Sequence, residues 1–218
     1  MCLWQRNEHL ADILGNFEKQ TCRTRIRLHF WNNNPAEAPL VESIVRSRQW
    51  SFPVEIKHSS ENVGGIGRFY FAKELASKYP YVIFLDDDQR FAYPTTLESM
   101  SFHHRNKRIT AFTSFRFKKG GTYWDRDVDR KRPHYCGTGG MICDSSIFMD
   151  AALYEVPVQY QFIEDLWLCY YAQKIKAWTL RGGKFTVYFI YDDKNQFKKL
   201  KKKKSEFLEY LRSQGWRA

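Results

Sequence analysis

No apolar run in this 218-residue chain approaches the roughly 20 residues that span a bilayer, so a membrane-spanning helix is not expected. The opening segment MCLWQRNEHL has no basic stretch followed by an apolar one, and no secretory leader is expected either. Cysteine is scarce. Cys2, Cys22, Cys136, Cys143 and Cys169 are scattered and odd in number, and no pair has zinc-ligand spacing. That argues against a disulfide framework and for reduced thiols in a reducing compartment. These absences predict a soluble, cytoplasmic protein. No internal repeat and no interdomain linker is visible, and the length suits a single domain with its own core.

Acidic residues are also in deficit, 24 against 35 basic ones, which leaves a net charge of +11. A basic excess suggests nucleic acid, an anionic membrane or a phosphate-bearing ligand. Six lysines between Phe197 and Lys204 supply over half of that excess, and the rest of the chain is only mildly basic, so nucleic acid is not favoured. Phe197, Leu200, Phe207, Leu208 and Leu211 are spaced to form one buried helical stripe. The lysines are expected on the wet face, as a structural helix end with no part in chemistry.

Strand and helix patterns alternate through the first ninety residues. Cys2–Trp4 reads as a short strand. Glu8–Gln20 carries Leu10, Ile13, Leu14 and Phe17 at helical spacing. Thr24–Trp31 alternates as a strand, Asn32–Pro35 is a turn, Ala36–Gln49 is helical and Phe52–His58 is a strand. Gly64 and Gly65 open a helix to about Lys78, and Tyr81–Leu85 is a continuous apolar strand of the kind buried on both faces. This order predicts an α/β fold with a mostly parallel central sheet flanked by helices. Further on, Pro94–Arg105 is read as helix, Ile109–Phe117 as strand, and Lys118–Pro133 as a polar, mobile loop. Glu164–Lys176 is read as helix, Lys184–Tyr191 as strand and Lys194–Arg212 as a terminal helix.

The strand Tyr81–Leu85 runs into Asp86, Asp87 and Asp88, at the strand end where ligands of parallel sheets bind. Continued extension would point Asp86 and Asp88 one way and turn Asp87 aside. Three adjacent carboxylates repel, and a hard divalent cation that also accepts phosphate oxygens is the natural offset. Upstream, Asn62, Gly64, Gly65 and Gly67 precede Arg68 at a helix start, where backbone N–H groups and a guanidinium can meet phosphate. This is not a Walker A sequence. Later, Glu164 and Asp165 open a helix, which suits the positive end of its dipole. Gly137, Gly139 and Gly140 upstream of them would let backbone approach a sugar. His103, His104 and His134 are spare metal ligands at most, with surface or packing roles favoured. Trp124, Tyr135 and Trp167 have faces able to stack on sugars, although burial is the commoner fate.

Glu61–Asp88 resembles the nucleotide-sugar core of the GT-A glycosyltransferases, both family-2-like and exostosin-like: Asn, Gly and Arg at a helix start, an aliphatic strand, then Asp-x-Asp. LWQRNEHLADIL resembles their first strand and helix, and WNNNP at Trp31–Pro35 the end of their second strand. The compact size is similar to that of small glycosyltransferases of large algal viruses. The resemblance implies one GT-A (Rossmann-like) domain over residues 1–218, with a nucleotide-binding half at 1–90 and a donor-sugar and acceptor half at 91–218. It implies a UDP-sugar donor, with Arg6 and Asn62 near the uridine and Arg68 near uridine or diphosphate. Asp86 would meet the ribose and the metal shell, Asp87 the donor sugar, and Asp88 the Mn²⁺ or Mg²⁺ directly. Gly139 and Gly140 would border the donor sugar. Glu164 and Asp165 would form the catalytic pair beside a glycan or glycoprotein acceptor, with Asp165 as the catalytic carboxylate and Glu164, which a helix-cap role fits better, contributing less.

Two features depart from these enzymes. No Gln-x-x-Arg-Trp motif of processive synthases is present, so one sugar per event is expected, and no metal-binding histidine follows Asp165. The chain reads either as a whole protein or as one domain of a longer polypeptide. The competing readings are a nucleotidyltransferase acting on sugar phosphates and a basic nucleic-acid-binding module. The first lacks a glycine-rich phosphate loop after Trp4-Gln5-Arg6-Asn7. The second leaves the aspartates unexplained.

Overall fold

A computed structural model describes residues 1–190 and 199–218. Strand β1 (Cys2–Leu3) passes through a 3₁₀ turn into helix α1 (Leu10–Glu18), which buries Leu10, Ile13, Leu14 and Phe17 at the predicted spacing. Strand β2 (Leu28–Asn32) starts four residues later than Thr24, because Arg23–Arg25 winds into a 3₁₀ turn closed by Arg25 N–H donating to Cys22 O at 2.9 Å. Helix α2 (Ala38–Arg46), strand β3 (Val54–His58), helix α3 (Gly67–Leu75) and strand β4 (Tyr81–Phe84) follow in the expected order. β1, β2 and β3 form a parallel sheet, with Leu28 opposite Val54 and Asn32 opposite His58. β4 departs from the fully buried strand expected: Tyr81, Val82 and Ile83 are half-buried and only Phe84 is buried.

The second half carries β5 (Gln89–Phe91), α4 (Thr96–Ser101), β6 (Arg108–Ala111), β7 (Ser114–Phe117) and β8 (Arg126–Val128). β9 (Tyr135–Cys136), β10 (Met141–Asp144), α5 (Glu164–Tyr170), β11 (Thr179–Gly182), β12 (Val187–Phe189) and α6 (Lys201–Ser213) complete it. β4 joins a four-stranded sheet of order β11-β6-β10-β4, in which β11 runs parallel to β6 and β10 runs antiparallel to both its neighbours. β7, β8 and β9 make an antiparallel sheet, and β5 pairs with β12.

The single strand expected over Ile109–Phe117 is therefore two strands in two sheets. Phe112 N–H donates to Gly140 O and Gly137 N–H to Thr113 O at the break. The loop Lys118–Pro133 is also more ordered than expected. It contains β8, buries Tyr123, and is fastened to α6 by Arg212, which donates to Gly121 O and Lys118 O. The α5 helix ends at Tyr170 and continues as a π turn over Tyr171–Ile175. Of the predicted terminal helix, Lys194–Lys198 lie outside the described residues, as does Tyr191 of the predicted last strand.

Two apolar clusters hold these layers. One joins the faces of α1, α2 and the β1–β3 sheet to Phe91, Leu97 and Val187. The other joins α3, β6, β10 and α5 to Phe207, Leu208 and Leu211 of α6. All five cysteines are buried and free, as reduced thiols require. No helix among the described residues is long and apolar enough to cross a membrane.

Candidate active site

A cleft of about 580 Å³ is lined from both halves of the chain. Its floor begins where β4 ends. The chain turns at once after Leu85: Gln89 N–H donates to Asp86 O at 3.2 Å, and Asp86 N–H donates to the Gln89 side-chain oxygen at 3.0 Å. The three aspartates thus occupy a turn, and strand alternation does not extend to them. Arg68 Nη1 meets Asp86 Oδ1 at 2.6 Å. Arg6 Nη1 meets Asp87 Oδ1 at 3.0 Å and Asp88 Oδ2 at 3.5 Å. Asp87 and Asp88 share one arginine and Asp86 takes another.

The same geometry revises the charge argument. Two arginines supply much of the positive offset that the sequence assigned to a cation. Among the described residues Arg6 and Arg68 face Asp86, Asp87, Asp88 and Glu164. Burial and the neighbouring Asp86 push the Asp88 carboxyl above its ordinary value. Burial likewise pushes Asp87 up. Asp88 Oδ1 is buried with no hydrogen-bond partner among the described residues, an expensive condition for a carboxylate oxygen. A hard divalent cation fits that orphan oxygen and this all-oxygen donor set. Among the described residues no three His, Cys, Asp or Glu side chains gather to hold a metal. Phosphate oxygens and water suit the open positions of such a cation, as Mg²⁺ commonly binds.

The helix start at Gly64–Ile66 forms the next wall. Asn62 precedes it and accepts from Gly64 N–H at 2.8 Å, and buried Asn33 bonds Gly64 O and Val63 N–H. A Cβ at Gly65 would overlap the Glu164 carboxylate, so the glycine lets that side chain lie against the helix start. Glu164 is buried with Arg68 Nε at 3.8 Å, and burial pushes its carboxyl up. Gly139 has the same kind of role opposite: a Cβ would overlap Asp86 and the Gln89 amide. Gly140 does not line the cleft. Its N–H donates to Phe84 O, so it ties β4 to β10 instead.

Glu164 stands in the first turn of α5, at the positive end of the helix dipole as expected. Its side chain reaches away to Arg68, and no side chain caps that helix from its N-cap position, Ile163. Asp165 Oδ1 accepts from Leu166 N–H at 2.7 Å, while Oδ2 accepts from the Tyr135 hydroxyl. Lys204 Nζ stands 3.9 Å from the same Oδ2. This overturns the wet-face expectation for the lysine tract at one position. Lys204 is 6% exposed, and Lys204, Phe207, Leu208 and Leu211 are the buried positions of α6. Lys201, Lys202 and Lys203 are exposed as expected.

Sequence reasoning also passed over Arg126 and Tyr123, which line this end of the cleft with Tyr135 and Phe115. The histidines lie elsewhere. His103 packs on Phe185 and His104 on Tyr81. His134 bonds Arg116, and burial with Arg116 nearby pushes it down to about 4. Trp167 is packed against the core with its indole N–H on Leu153 O.

No protein-family model matches the chain. A 74-residue stretch is 32% identical to Basic membrane protein A of Borreliella burgdorferi, over 34% of this chain and 22% of that protein. So short a stretch assigns no family. Among solved structures, TarS residues 1–349 of S. aureus in complex with UDP matches with a TM-score of 0.58 at 14% identity, over 86% of this chain and 57% of that one. GalNAc-T7 with UDP, GalNAc and Mn²⁺ matches at 0.61 and 15%, over 82% and 40%. HddC from Yersinia pseudotuberculosis matches at 0.50 and 11%, over 91% and 84%. The chain spans about half the length of the first two. At these identities the likeness is one of fold, and the fold is the α/β GT-A arrangement.

Proposed function

We propose that this chain is a metal-dependent glycosyltransferase that moves a sugar from a UDP-sugar to an acceptor hydroxyl. The observation that carries the reading is convergence in one cleft. The Asp86–Asp88 turn, Arg6, the Asn62–Arg68 helix start and the Glu164–Asp165 pair come from four separate segments and line the same cavity. The fold similarity to UDP-bound TarS and GalNAc-T7 supports it.

In this reading residues 1–90 bind the nucleotide and residues 91–218 bind donor sugar and acceptor. Arg6 and Asn62 lie on the uridine side, with Arg68 towards uridine or diphosphate. Asp88, with Asp86, would hold Mn²⁺ or Mg²⁺, which when bound neutralises charge on the departing diphosphate. Asp87 and Gly139 border the donor sugar. Asp165 faces the acceptor. In an inverting reaction the sugar's anomeric carbon loses its bond to the diphosphate oxygen and gains one to the acceptor oxygen. Asp165 takes the acceptor's proton as that bond forms. Tyr135 and Lys204 hold its carboxylate in place. In a retaining reaction the same carboxylate orients the acceptor or faces positive charge on the ring. Glu164, buried beside Arg68, keeps that guanidinium aimed at the diphosphate end.

The test is calorimetry of UDP with Mn²⁺ on wild type and Asp88→Ala. Wild type is expected to bind UDP only with the metal, and the variant to lose that dependence and most of the affinity. Equal UDP affinity in the two proteins would refute the metal assignment.

A further inference from the structure

The carboxylates and arginines at the diphosphate end of the cleft answer one another: Arg68 with Asp86 and Glu164, Arg6 with Asp87 and Asp88. The part of the lining around Asp165 and Tyr123 is different. There the β8 residue Arg126 lies among three rings, its guanidinium carbon 4.0 Å from the centre of Phe115, 4.5 Å from Tyr123 and 5.1 Å from Trp124. Its Nη1 is buried and makes no hydrogen bond among the described residues. Lys204 Nζ sits 5.2 Å from the same Tyr123 ring, and Tyr123 stands edge-on to Tyr135, whose hydroxyl holds Asp165. Asp165 is thus already engaged by Tyr135 and Lys204, and no described carboxylate answers Arg126.

Ring faces offset part of the desolvation of a guanidinium. They leave its Nη1–H groups unsatisfied, and a buried donor on a charged group without an acceptor is costly. The planar fork of an arginine suits an oxyanion, and aromatic walls beside it suit the apolar face of a sugar or polyol. Arg126 lines the cleft together with Asp165 and Lys204, so a group held there would lie alongside the proposed acceptor position.

We propose that this part of the cleft is an anion subsite for the acceptor, in which Arg126, beside Lys204, takes a carboxylate or phosphate carried by the acceptor. The preferred acceptor is then an anionic saccharide or polyol phosphate, rather than a neutral sugar. This deepens the glycosyltransferase reading and rests on it for the word acceptor. The binding of the anion itself does not depend on that reading.

The experiment is calorimetric titration of the full chain with two matched pairs of probes, glucuronate against glucose and glycerol 3-phosphate against glycerol. Each titration is run with and without UDP and Mn²⁺, on wild type, Arg126→Gln and Arg126→Lys. At least one anionic probe is expected to bind about tenfold or more tighter than its neutral partner, the usual scale of a hydrogen bond to a charged group. Arg126→Gln should abolish the preference and Arg126→Lys should keep part of it. Whichever pair shows the preference identifies the anion as carboxylate or phosphate. If Arg126→Gln loses its native circular dichroism, the wild-type pairs and Arg126→Lys decide the matter. Equal binding of charged and neutral probes by wild type would overturn the subsite, as would an undiminished preference in Arg126→Gln. Failure of UDP to bind while the anion preference stands would remove the donor reading and leave the subsite. UDP binding without any anion preference would do the reverse.

Discussion

Arg68 is the side chain on which the charge balance of the cleft turns, and Arg68→Met tests that directly. The guanidinium is 8% exposed and lies 2.6 Å from Asp86 and 3.8 Å from Glu164. Methionine keeps much of the volume and removes the charge. Asp86 has a third of its side chain in solvent and can rehydrate, so most of the penalty falls on Glu164, whose side chain is 8% exposed. Removing one partner of a buried pair costs about 3–5 kcal/mol, because the other charge is left uncompensated. For a chain of this size that is a fall in Tm of roughly 6–20 °C.

The second variant, Arg68→Met with Glu164→Gln, removes the stranded charge and should recover at least half of the loss. Urea unfolding of wild type, both single variants and the double variant gives the coupling between the two sites. A pH series adds a signature that simple packing damage would not produce. Burial already pushes the Glu164 carboxyl up with Arg68 in place. Without Arg68 it rises further, so the folded chain holds this proton where the unfolded chain has lost it. Stability of Arg68→Met should therefore rise as pH falls towards the ordinary glutamate value of 4.5, and the double variant should lack that slope. Arg68→Met within about 1 kcal/mol of wild type, or no recovery in the double variant, would refute the pairing.

Other outcomes follow from the same geometry. Lys204→Met should lower transfer about tenfold at unchanged UDP affinity, by loosening the charged contact on Asp165, whereas Lys202→Gln with Lys203→Gln should leave transfer intact; steady-state kinetics separates the two. Gly139→Ala should weaken Mn²⁺-dependent UDP binding roughly tenfold, since its methyl displaces Asp86 or Gln89 at about 1–3 kcal/mol; calorimetry reads this. Asp165→Asn should cut transfer roughly 10²-fold or more with donor affinity unchanged, and wild-type transfer in that variant would place the catalytic group elsewhere.

Much of the first half was readable because its signals are local. The spacing of Leu10, Ile13, Leu14 and Phe17 describes the buried face of α1 without reference to any other element. The apolar run into Asp86 describes a strand end. What failed were statements about orientation. Alternation predicted where Asp86, Asp87 and Asp88 point, yet the Gln89 amide closes a turn on Asp86 and cancels the alternation. Dipole preference placed Glu164 in the first turn of α5 but carried no sign of its charged partner Arg68, ninety-six residues upstream. The break at Phe112–Thr113 is invisible in a run of strand formers, because it depends on which sheet each end joins.

Lys204 shows why such cases resist a reading of periodicity alone, and also where the signal was. The helical stripe of Leu200, Phe207, Leu208 and Leu211 needs an occupant between Leu200 and Phe207, and the position four beyond Leu200 and three before Phe207 is Lys204. Hydropathy sends a lysine to water, and that rule gave the wrong face. Burying an ammonium group is costly unless a counter-charge meets it, so a lysine at a stripe position demands a carboxylate from elsewhere in the fold. Here the carboxylate is Asp165, thirty-nine residues upstream at the start of α5. A charged residue that keeps the phase of an apolar stripe is therefore a pointer to a partnered, buried site. In this chain the pointer leads to the carboxylate proposed for catalysis.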